Sequence, residues 1–374
     1  MPPLKPILIS VFVVTVGLMV LVWWNSSSAP KAEKSRQVPA EARSAPAASN
    51  PVIGVLDRLR GKTSHAAALQ TLKELQATLK GMPRDEAVAW IRSFLDSGKD
   101  QPTGLSFEIA PGGTLTEWPT LRCFLLDAML AIDPSAAAEL GRQVLEKSTT
   151  ADEWALALRN VGRVETSADA AAYLIERTQT LIANPVWQAN PSIGYLNAFD
   201  VLVHTNAVAS TPLLSGLIQQ KDRRDLAHAG FLTLDRLVQS NPAEVLPLLA
   251  EDHALQASRP EMVAQQFARA DLRDPAQCDV VKAWLLDPAR SGTDLRAFAA
   301  VYPNNNRFIS NNLLTSVAQQ SGADLAQHDR QGLEIIQAWA ADPAFQPVKE
   351  TLLAMSTRLQ NFIGASPIPA GSRQ

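Results

Sequence analysis

The sequence predicts an all-α fold, in which about sixteen short antiparallel helices form a helical repeat of the solenoid or superhelix type. Three observations lead to this prediction: apolar residues recur at helical spacing, Asx-Pro pairs recur along the chain, and the segments between predicted helices are short. The predicted repeat domain covers 52–363. One transmembrane helix and a disordered linker are predicted before it, and a flexible tail, 364–374, after it.

An uncharged apolar run of eighteen residues, Ile7–Trp24, lies near the start of the chain. As a helix it would span roughly 27 Å, close to the ~30 Å hydrocarbon core of a bilayer. Lys5 precedes the run, and two tryptophans close it, as is typical of membrane interfaces. A cleaved signal peptide is the alternative, but its apolar region is normally shorter, and Pro30 disfavours cleavage at the best candidate site. We therefore predict an uncleaved signal anchor over 1–24.

The orientation of this anchor rests on two conflicting arguments. Basic residues are more numerous after the apolar run than before it, which favours a cytoplasmic body: Lys31, Lys34, Arg36 and Arg43. Signal anchors, however, often begin with a short tail, and long domains cross the membrane largely regardless of charge. We expect a single-pass protein of the inner or plasma membrane with a periplasmic body. The segment 25–51 is rich in Ser, Ala and Pro, and we expect it to be a disordered linker.

Apolar stripes at spacings of three and four residues predict helices from about Thr63 onward. One stripe consists of Ala68, Leu72, Leu75 and Leu79, and comparable stripes lie within 121–132 and 348–362. The tryptophans of the body fall on or beside such stripes, so we expect them in the core: Trp90, Trp154, Trp187, Trp284 and Trp339.

Seven Asx-Pro pairs divide the body of the chain. The side chain of Asn or Asp accepts hydrogen bonds from free amides at a helix N-terminus, and proline in the first turn needs no amide partner. We expect each pair to end one helix and begin the next. The pairs are Asp133-Pro134, Asn184-Pro185, Asn190-Pro191, Asn241-Pro242, Asp274-Pro275, Asp287-Pro288 and Asp342-Pro343. A capping box from Thr150 to Glu153 is predicted to open a further helix.

Two segments resemble known helical repeats. Residues 228–252, HAGFLTLDRLVQSNPAEVLPLLAED, resemble a HEAT or armadillo-type unit, with one helix, a tight Asn-Pro turn and a second helix. Residues 128–140, AMLAIDPSAAAEL, resemble a tetratricopeptide boundary, although the Trp…Leu-Gly…Tyr pattern of that family is absent. The resemblance implies an α-superhelix that contacts other proteins, and it identifies no functional residues.

A non-helical insertion at 99–117 interrupts the predicted helices. Leu105–Ile109 alternates in polarity, 110–113 reads as a turn, and 114–116 would return as a partner strand, so we predict a small hairpin. Such an insertion is either a binding loop on a rigid scaffold or a cover for one edge of the solenoid. The candidate partner-binding residues are Phe107, Glu108, Ile109, Leu115, Glu117 and Trp118.

The sequence contains no P-loop, no nucleophile elbow and no zinc-protease motif, and we predict no catalytic, cofactor-binding or metal-binding residue. The five histidines are expected at the surface or at helix ends: His65, His204, His228, His253 and His328. Glu108 and Glu117 flank the hairpin turn, and as a pair they would suit glycoside hydrolysis. Cys123 and Cys278 are interpreted as buried thiols or, in an oxidising compartment, as a disulfide.

The formal net charge of −3 gives no electrostatic reason to expect nucleic acid as a partner. Our leading hypothesis is a membrane-anchored helical scaffold or adaptor that binds protein partners without a cofactor. Two alternatives remain open. One is an α-superhelical envelope enzyme that acts on a cell-wall polymer, and the other is a structural spacer in an envelope complex.

Overall fold

The computed structural model describes residues 50–60, 64–316 and 321–365. Within these ranges the backbone is predominantly helical, and its β-structure is a single two-stranded hairpin, which confirms the predicted all-α class. The predicted anchor, Ile7–Trp24, lies outside the described residues. Among the described helices, none combines the length and the apolar character needed to cross a bilayer.

Nineteen α-helices lie within the described ranges. Three precede the hairpin: α1 Pro51–Arg60, α2 His65–Gly81 and α3 Arg84–Asp96. The hairpin consists of β1 Glu108–Ile109 and β2 Leu115–Glu117. Seven helices follow: α4 Leu121–Ile132, α5 Pro134–Lys147, α6 Ala151–Val164, α7 Ala168–Ala183, α8 Pro185–Ala189, α9 Ile193–Asn197 and α10 Asp200–His204. The remaining nine are α11 Thr211–Ile218, α12 Arg224–Ser240, α13 Pro242–Glu251, α14 His253–Ser258, α15 Pro260–Phe267, α16 Pro275–Leu286, α17 Gly292–Val301, α18 Gly322–Ala341 and α19 Lys349–Ala365.

Helices pack mainly against their neighbours along the chain. The most extensive packing joins α5 to α6, α18 to α19 and α11 to α12, and helices two apart, such as α4 and α6 or α15 and α17, also touch. The buried apolar residues form one cluster that extends from Val52 in α1 to Leu359 in α19. Of the five tryptophans predicted in the core, Trp154, Trp284 and Trp339 are buried, and the other two are half-buried.

Four of the seven Asx-Pro pairs begin a helix as predicted, with a side-chain hydrogen bond to the first turn. These are Asp133 before α5, Asn184 before α8, Asp274 before α16 and Asp342 before the 3-10 helix Pro343–Val348. A fifth, Asn241, precedes α13 without a capping hydrogen bond, and its side-chain NH2 group donates to Asn206. This local chemical rule thus predicted five of its seven helix starts correctly.

Two predicted helix starts are wrong, and one predicted capping box is absent. Asn190 and Asp287 end α8 and α16, and the next helices begin only after Ser192 and Ser291, whose hydroxyls accept the capping hydrogen bonds. The capping box at Thr150 is absent, although α6 does begin there. The reason is that the carboxylate of Glu153 pairs with an arginine of α4 rather than with the N-terminus of its own helix.

Candidate functional site

The hairpin lies between α3 and α4, at the predicted insertion. Glu108 stands directly opposite Glu117 across the antiparallel pair, so their side chains lie on the same face. The turn passes through Gly112 and Gly113, whose φ angles of +90° and +82° are readily available only to glycine. The Pro-Gly-Gly sequence therefore forms a tight turn rather than a phosphate-binding loop.

Half of the predicted partner-binding residues lie in the core. Phe107, Leu115 and Trp118 are 4%, 6% and 3% exposed, and the Trp118 ring packs edge-on against Phe124 with 5.0 Å between ring centroids. Alternation along the hairpin directs Phe107 and Leu115 inward, and Trp118 turns into the core just after β2. Glu108 is exposed, while Ile109 and Glu117 are partly buried, and these three are the members of the set that a partner can reach.

A buried ion pair fastens the hairpin to the helices beneath it. Asp127 of α4 accepts hydrogen bonds from the Leu115 amide at 3.2 Å and the Trp118 indole at 2.8 Å. Arg159 of α6, which is fully buried, donates to Asp127 at 2.5 Å and to the Gly113 carbonyl at 2.9 Å. Burial lowers the pKa of Arg159, and the charge of Asp127 opposes that shift.

Residues 303–316, which follow α17, form an extended non-helical segment that we call the strap. Its first residues are held near the end of α15. The Asn304 amide donates to the Ala268 carbonyl at 2.8 Å, and Arg269 donates to the Asn304 carbonyl at 3.0 Å. Arg269 is itself paired with buried Asp235 of α12.

The other end of the strap is held by α6 and α10. Asp200 accepts hydrogen bonds from the amides of Leu314 and Thr315 at 2.7 and 3.1 Å, and it pairs with Arg236 of α12 at 2.9 Å. Arg163 of α6 donates to the Leu313 carbonyl at 3.0 Å. Side chains from several helices thus hold the strap chiefly through its backbone.

Three buried aspartate–arginine pairs therefore organise this face, which we call the strap face: Asp127–Arg159, Asp200–Arg236 and Asp235–Arg269. Our reading of the sequence missed all three. The available signal was a charged residue inside an otherwise apolar helical stretch, as in FLLDAML and ALALRNVG. Such a residue is rarely buried without a partner, so it indicates a specific long-range contact.

A cleft of about 390 Å³ lies where the hairpin meets the strap. We call it the hairpin cleft, and its lining residues are Ser106, Phe107, Glu108, Ile109, Glu117, Asn197 and Asn311. The side chain of Asn311 donates to the Ile109 carbonyl at 2.9 Å, which joins the two walls. The strap and α9, which contribute Asn311 and Asn197 to the cleft, also carry three exposed apolar side chains. These are Ile193 at 49%, Phe308 at 52% and Ile309 at 74% exposed.

Two carboxylates give the hairpin cleft its chemical character. Glu117 accepts from the Ser106 amide at 3.1 Å and contacts His65 Nε2 at 2.8 Å, while Glu108 accepts from the Thr116 hydroxyl at 2.8 Å. Within the described part of the chain, no lysine or arginine pairs with either glutamate. The cleft therefore presents negative charge and amide groups beside apolar side chains.

The other predicted candidates lie apart from this cleft. His204, His228 and His253 are exposed, whereas His328 is largely buried and contacts Asp329 at 3.0 Å. Cys123 and Cys278 are free thiols, and burial raises the pKa of both. Over the described ranges, no three His, Cys, Asp or Glu side chains are grouped so as to hold a metal ion.

Comparisons of the chain with protein-family models, with curated proteins and with solved structures gave no match. Its function is therefore argued from the hairpin cleft, the strap and the buried ion pairs alone.

Proposed function

We propose that this protein is a helical scaffold or adaptor that binds an extended segment of a protein partner in the hairpin cleft. One observation carries the proposal: the strap face already holds an extended polypeptide, the strap, through its backbone amides and carbonyls. Rigid helices that present backbone-directed polar side chains are suited to bind a partner's extended chain in the same way.

The helix packing supports a solenoid as the scaffold. Most contacts join helices that are adjacent or two apart in the chain, as in repeat proteins, where each unit touches chiefly its neighbours. The HEAT-like and tetratricopeptide-like segments agree with this reading, because such superhelices commonly bind other proteins. A partner-binding role requires no catalytic group.

The chemistry of the hairpin cleft favours a partner segment that carries lysine or arginine beside an apolar residue. Glu108 and Glu117 supply negative charge without a lysine or arginine partner from the described chain, and Ile109 supplies an apolar contact. Opposite charge guides the encounter, and apolar burial provides most of the affinity.

The apolar run Ile7–Trp24 supports a membrane tether for this scaffold, with a periplasmic body. A compartment-sensitive reporter fused to the C-terminus tests that orientation. We expect signal from a reporter that works only outside the cytoplasm. Signal only from a cytoplasmic reporter would show that the body lies on the other side.

The binding proposal is tested with the full chain in detergent and an array of short extended peptides. The peptides share one length and differ in their content of basic, acidic and apolar residues. We expect retention of basic–apolar peptides, and at least a tenfold loss of affinity in the variant Glu108→Lys/Glu117→Lys. The matched control, Glu146→Lys/Glu334→Lys, changes net charge equally at two exposed helix positions and should bind as the parent does. Equal binding by both variants would overturn the proposal.

A further inference from the structure

A larger groove lies at the other end of the described chain, between α17 and α19. Its volume is about 950 Å³, and we call it the end groove. Leu295 and Ala299 of α17 form one wall, Ala354 and Phe362 of α19 form the other, and Pro347 lies at one end. The groove shares no lining residue with the hairpin cleft.

The sequence explains why this groove stays open. α19 directs Leu352, Met355 and Leu359 into the core, and it packs against both α18 and α17. Apart from Phe362, the residues with which α19 lines the groove are small or polar, so they do not fill it. Ala354 and Ala299 contribute only a methyl group each to the two walls.

Two arginines line the end groove without a carboxylate partner. Arg296 donates to the Thr293 hydroxyl at 3.1 Å, and the Arg358 guanidinium lies over the Phe362 ring, 4.7 Å from its centroid. The Arg358 Nε atom is buried and has no hydrogen-bond acceptor in the described chain. Across the described ranges, no aspartate or glutamate forms an ion pair with either arginine.

We propose that the end groove docks an amphipathic helix of a partner protein, with an apolar stripe facing the groove and carboxylates at its edge. Both walls are helices, so their backbone groups are already paired, and strand addition is excluded as a binding mode. A third helix packs well into a channel between two helices, particularly where alanines permit close approach. The ligand's carboxylates would supply the ionic partners that Arg296 and Arg358 lack within the described chain, since arginine forms strong charge-assisted hydrogen bonds with carboxylates.

The α17 helix has ten residues, so its wall is roughly 15 Å long and matches about three turns of a bound helix. Glu350 also lines the groove and would repel an acid placed beside it. The favoured ligand therefore carries its carboxylates towards the Arg296 and Arg358 side.

The end groove is separate from the hairpin cleft, so either proposal can fail without the other.

Two labelled amphipathic peptides of about fourteen residues, built from Leu, Ala and Gln, provide the test. They differ only in carrying two Glu or two Lys beside the leucine stripe, and binding to the full chain is measured by fluorescence anisotropy. We expect the Glu peptide to bind at least tenfold more tightly than the Lys peptide. Equal binding of the two peptides, or no binding of the Glu peptide, would overturn the proposal.

Variants locate the site. Arg296→Gln/Arg358→Gln should weaken the Glu peptide at least tenfold, whereas Arg330→Gln, at an exposed position of α18, should leave affinity unchanged. Ala354→Trp fills the groove and should abolish binding of the Glu peptide, with circular dichroism melting used to confirm folding. Unchanged affinity in the double arginine variant or in a folded Ala354→Trp variant would overturn the proposal.

Two other occupants of the end groove, the C-terminal residues of the same chain and a second copy of the chain, would give different experimental results. A variant that lacks residues 366–374 should bind the Glu peptide as the parent does. A tenfold gain on this deletion would assign the groove to the chain's own C-terminal residues. Dimers that form with rising concentration and disappear in Ala354→Trp would assign it to a second copy. Either result would overturn the assignment to a partner helix.

Discussion

The strap face and the end groove both combine arginines with apolar side chains, but they use the arginines differently. On the strap face Arg159, Arg236 and Arg269 each pair with an aspartate, and those pairs hold the hairpin and the strap. In the end groove Arg296 and Arg358 have no carboxylate partner in the described chain. An arginine that pairs with a carboxylate of the same chain stabilises the fold, whereas an arginine without such a carboxylate is available to bind an acidic ligand.

The cost of burying charge explains this difference. Moving an ion pair out of water costs several kcal/mol per ion, and the pair is tolerated only where further hydrogen bonds satisfy its remaining groups. Asp127 and Arg159 meet that condition through Leu115, Trp118 and Gly113. The arginines of the end groove stay partly exposed to water, so they avoid that cost until a ligand arrives.

Loss of one partner of a strap-face ion pair should lower the free energy of unfolding more than any other change considered. Arg159→Met leaves Asp127 buried without its cation, and we expect a loss of about 3–5 kcal/mol in the free energy of unfolding. Urea denaturation measures this loss. Arg92→Met is the matched control, because Arg92 pairs with Glu139 near the surface, and it should cost less than about 1 kcal/mol. Equal losses of stability in the two variants would show that the buried ion pair contributes no more to the fold than the exposed one.

Release of the strap should have the next largest effect. Asp200→Ala leaves the amides of Leu314 and Thr315 without acceptors and removes the partner of Arg236. Because the Arg236 side chain is partly exposed to water, unlike that of Arg159, we expect a smaller loss of about 2–3 kcal/mol. Hydrogen exchange should quicken at these two amides and remain slow at the Leu115 amide, which Asp127 holds independently. Asp200→Asn keeps one acceptor oxygen and should lie between the parent and the alanine variant. Uniform quickening at all three amides would show that the strap is not a separate unit.

A smaller effect on stability should come from Asp152, a half-buried carboxylate of α6 that has no arginine partner among the described residues. It accepts hydrogen bonds from the Ser192 hydroxyl at 2.6 Å and the Gly194 amide at 2.9 Å, and burial raises its pKa. Because the folded state favours the protonated form, the parent should lose stability as pH rises from the ordinary aspartate range through the raised pKa. Asp152→Asn cannot ionise, so its stability relative to the parent should increase over that window.

Thermal melts of both proteins between about pH 3.5 and pH 7 measure this difference. A parent that becomes less stable than Asp152→Asn only as pH falls would contradict the argument. Such a result would mean that the two hydrogen bonds favour the ionised carboxylate more strongly than burial disfavours it.

The smallest effect is expected at the hairpin cleft. Glu108 and Glu117 are cross-strand neighbours of like charge, and such a pair is mildly destabilising. Glu108→Gln should therefore raise stability by about 0.2–1 kcal/mol, with the gain shrinking as salt is added. Thr116→Val, which removes the hydroxyl that donates to Glu108, should instead be neutral or slightly destabilising. A loss of stability in Glu108→Gln would show that the carboxylate has a structural role.

Local chemistry explains which parts of this fold the sequence could predict. Apolar stripes predicted α2, α4 and α19, and Asx residues before proline predicted several helix starts, because both signals lie within one or two helical turns. The helix count was too low because 184–205 contains three helices of five residues each, too short to show a repeating stripe.

The strap and its anchors could not be predicted in this way. Asp200 and Leu314 are 114 residues apart in the chain, and Ile109 and Asn311 are 202 apart. A side chain that binds a distant backbone amide leaves no periodic pattern in the sequence. The same limit applies to the hairpin, whose presence the sequence predicted: the burial of Phe107, Leu115 and Trp118 depends on helices that no local pattern identifies.

The long separation between the strap and its anchors has a consequence during synthesis. At roughly 5–20 residues per second, Leu314 leaves the ribosome roughly 6–23 s after Asp200. Helices α4 to α13 have time to form and pack in that interval, since helix formation takes microseconds or less. Until the strap arrives, Asp200 and Arg163 lack the backbone partners that they later hold. A nascent chain of this protein therefore passes through a stage in which its helices are folded and its strap face is still open to other extended peptides.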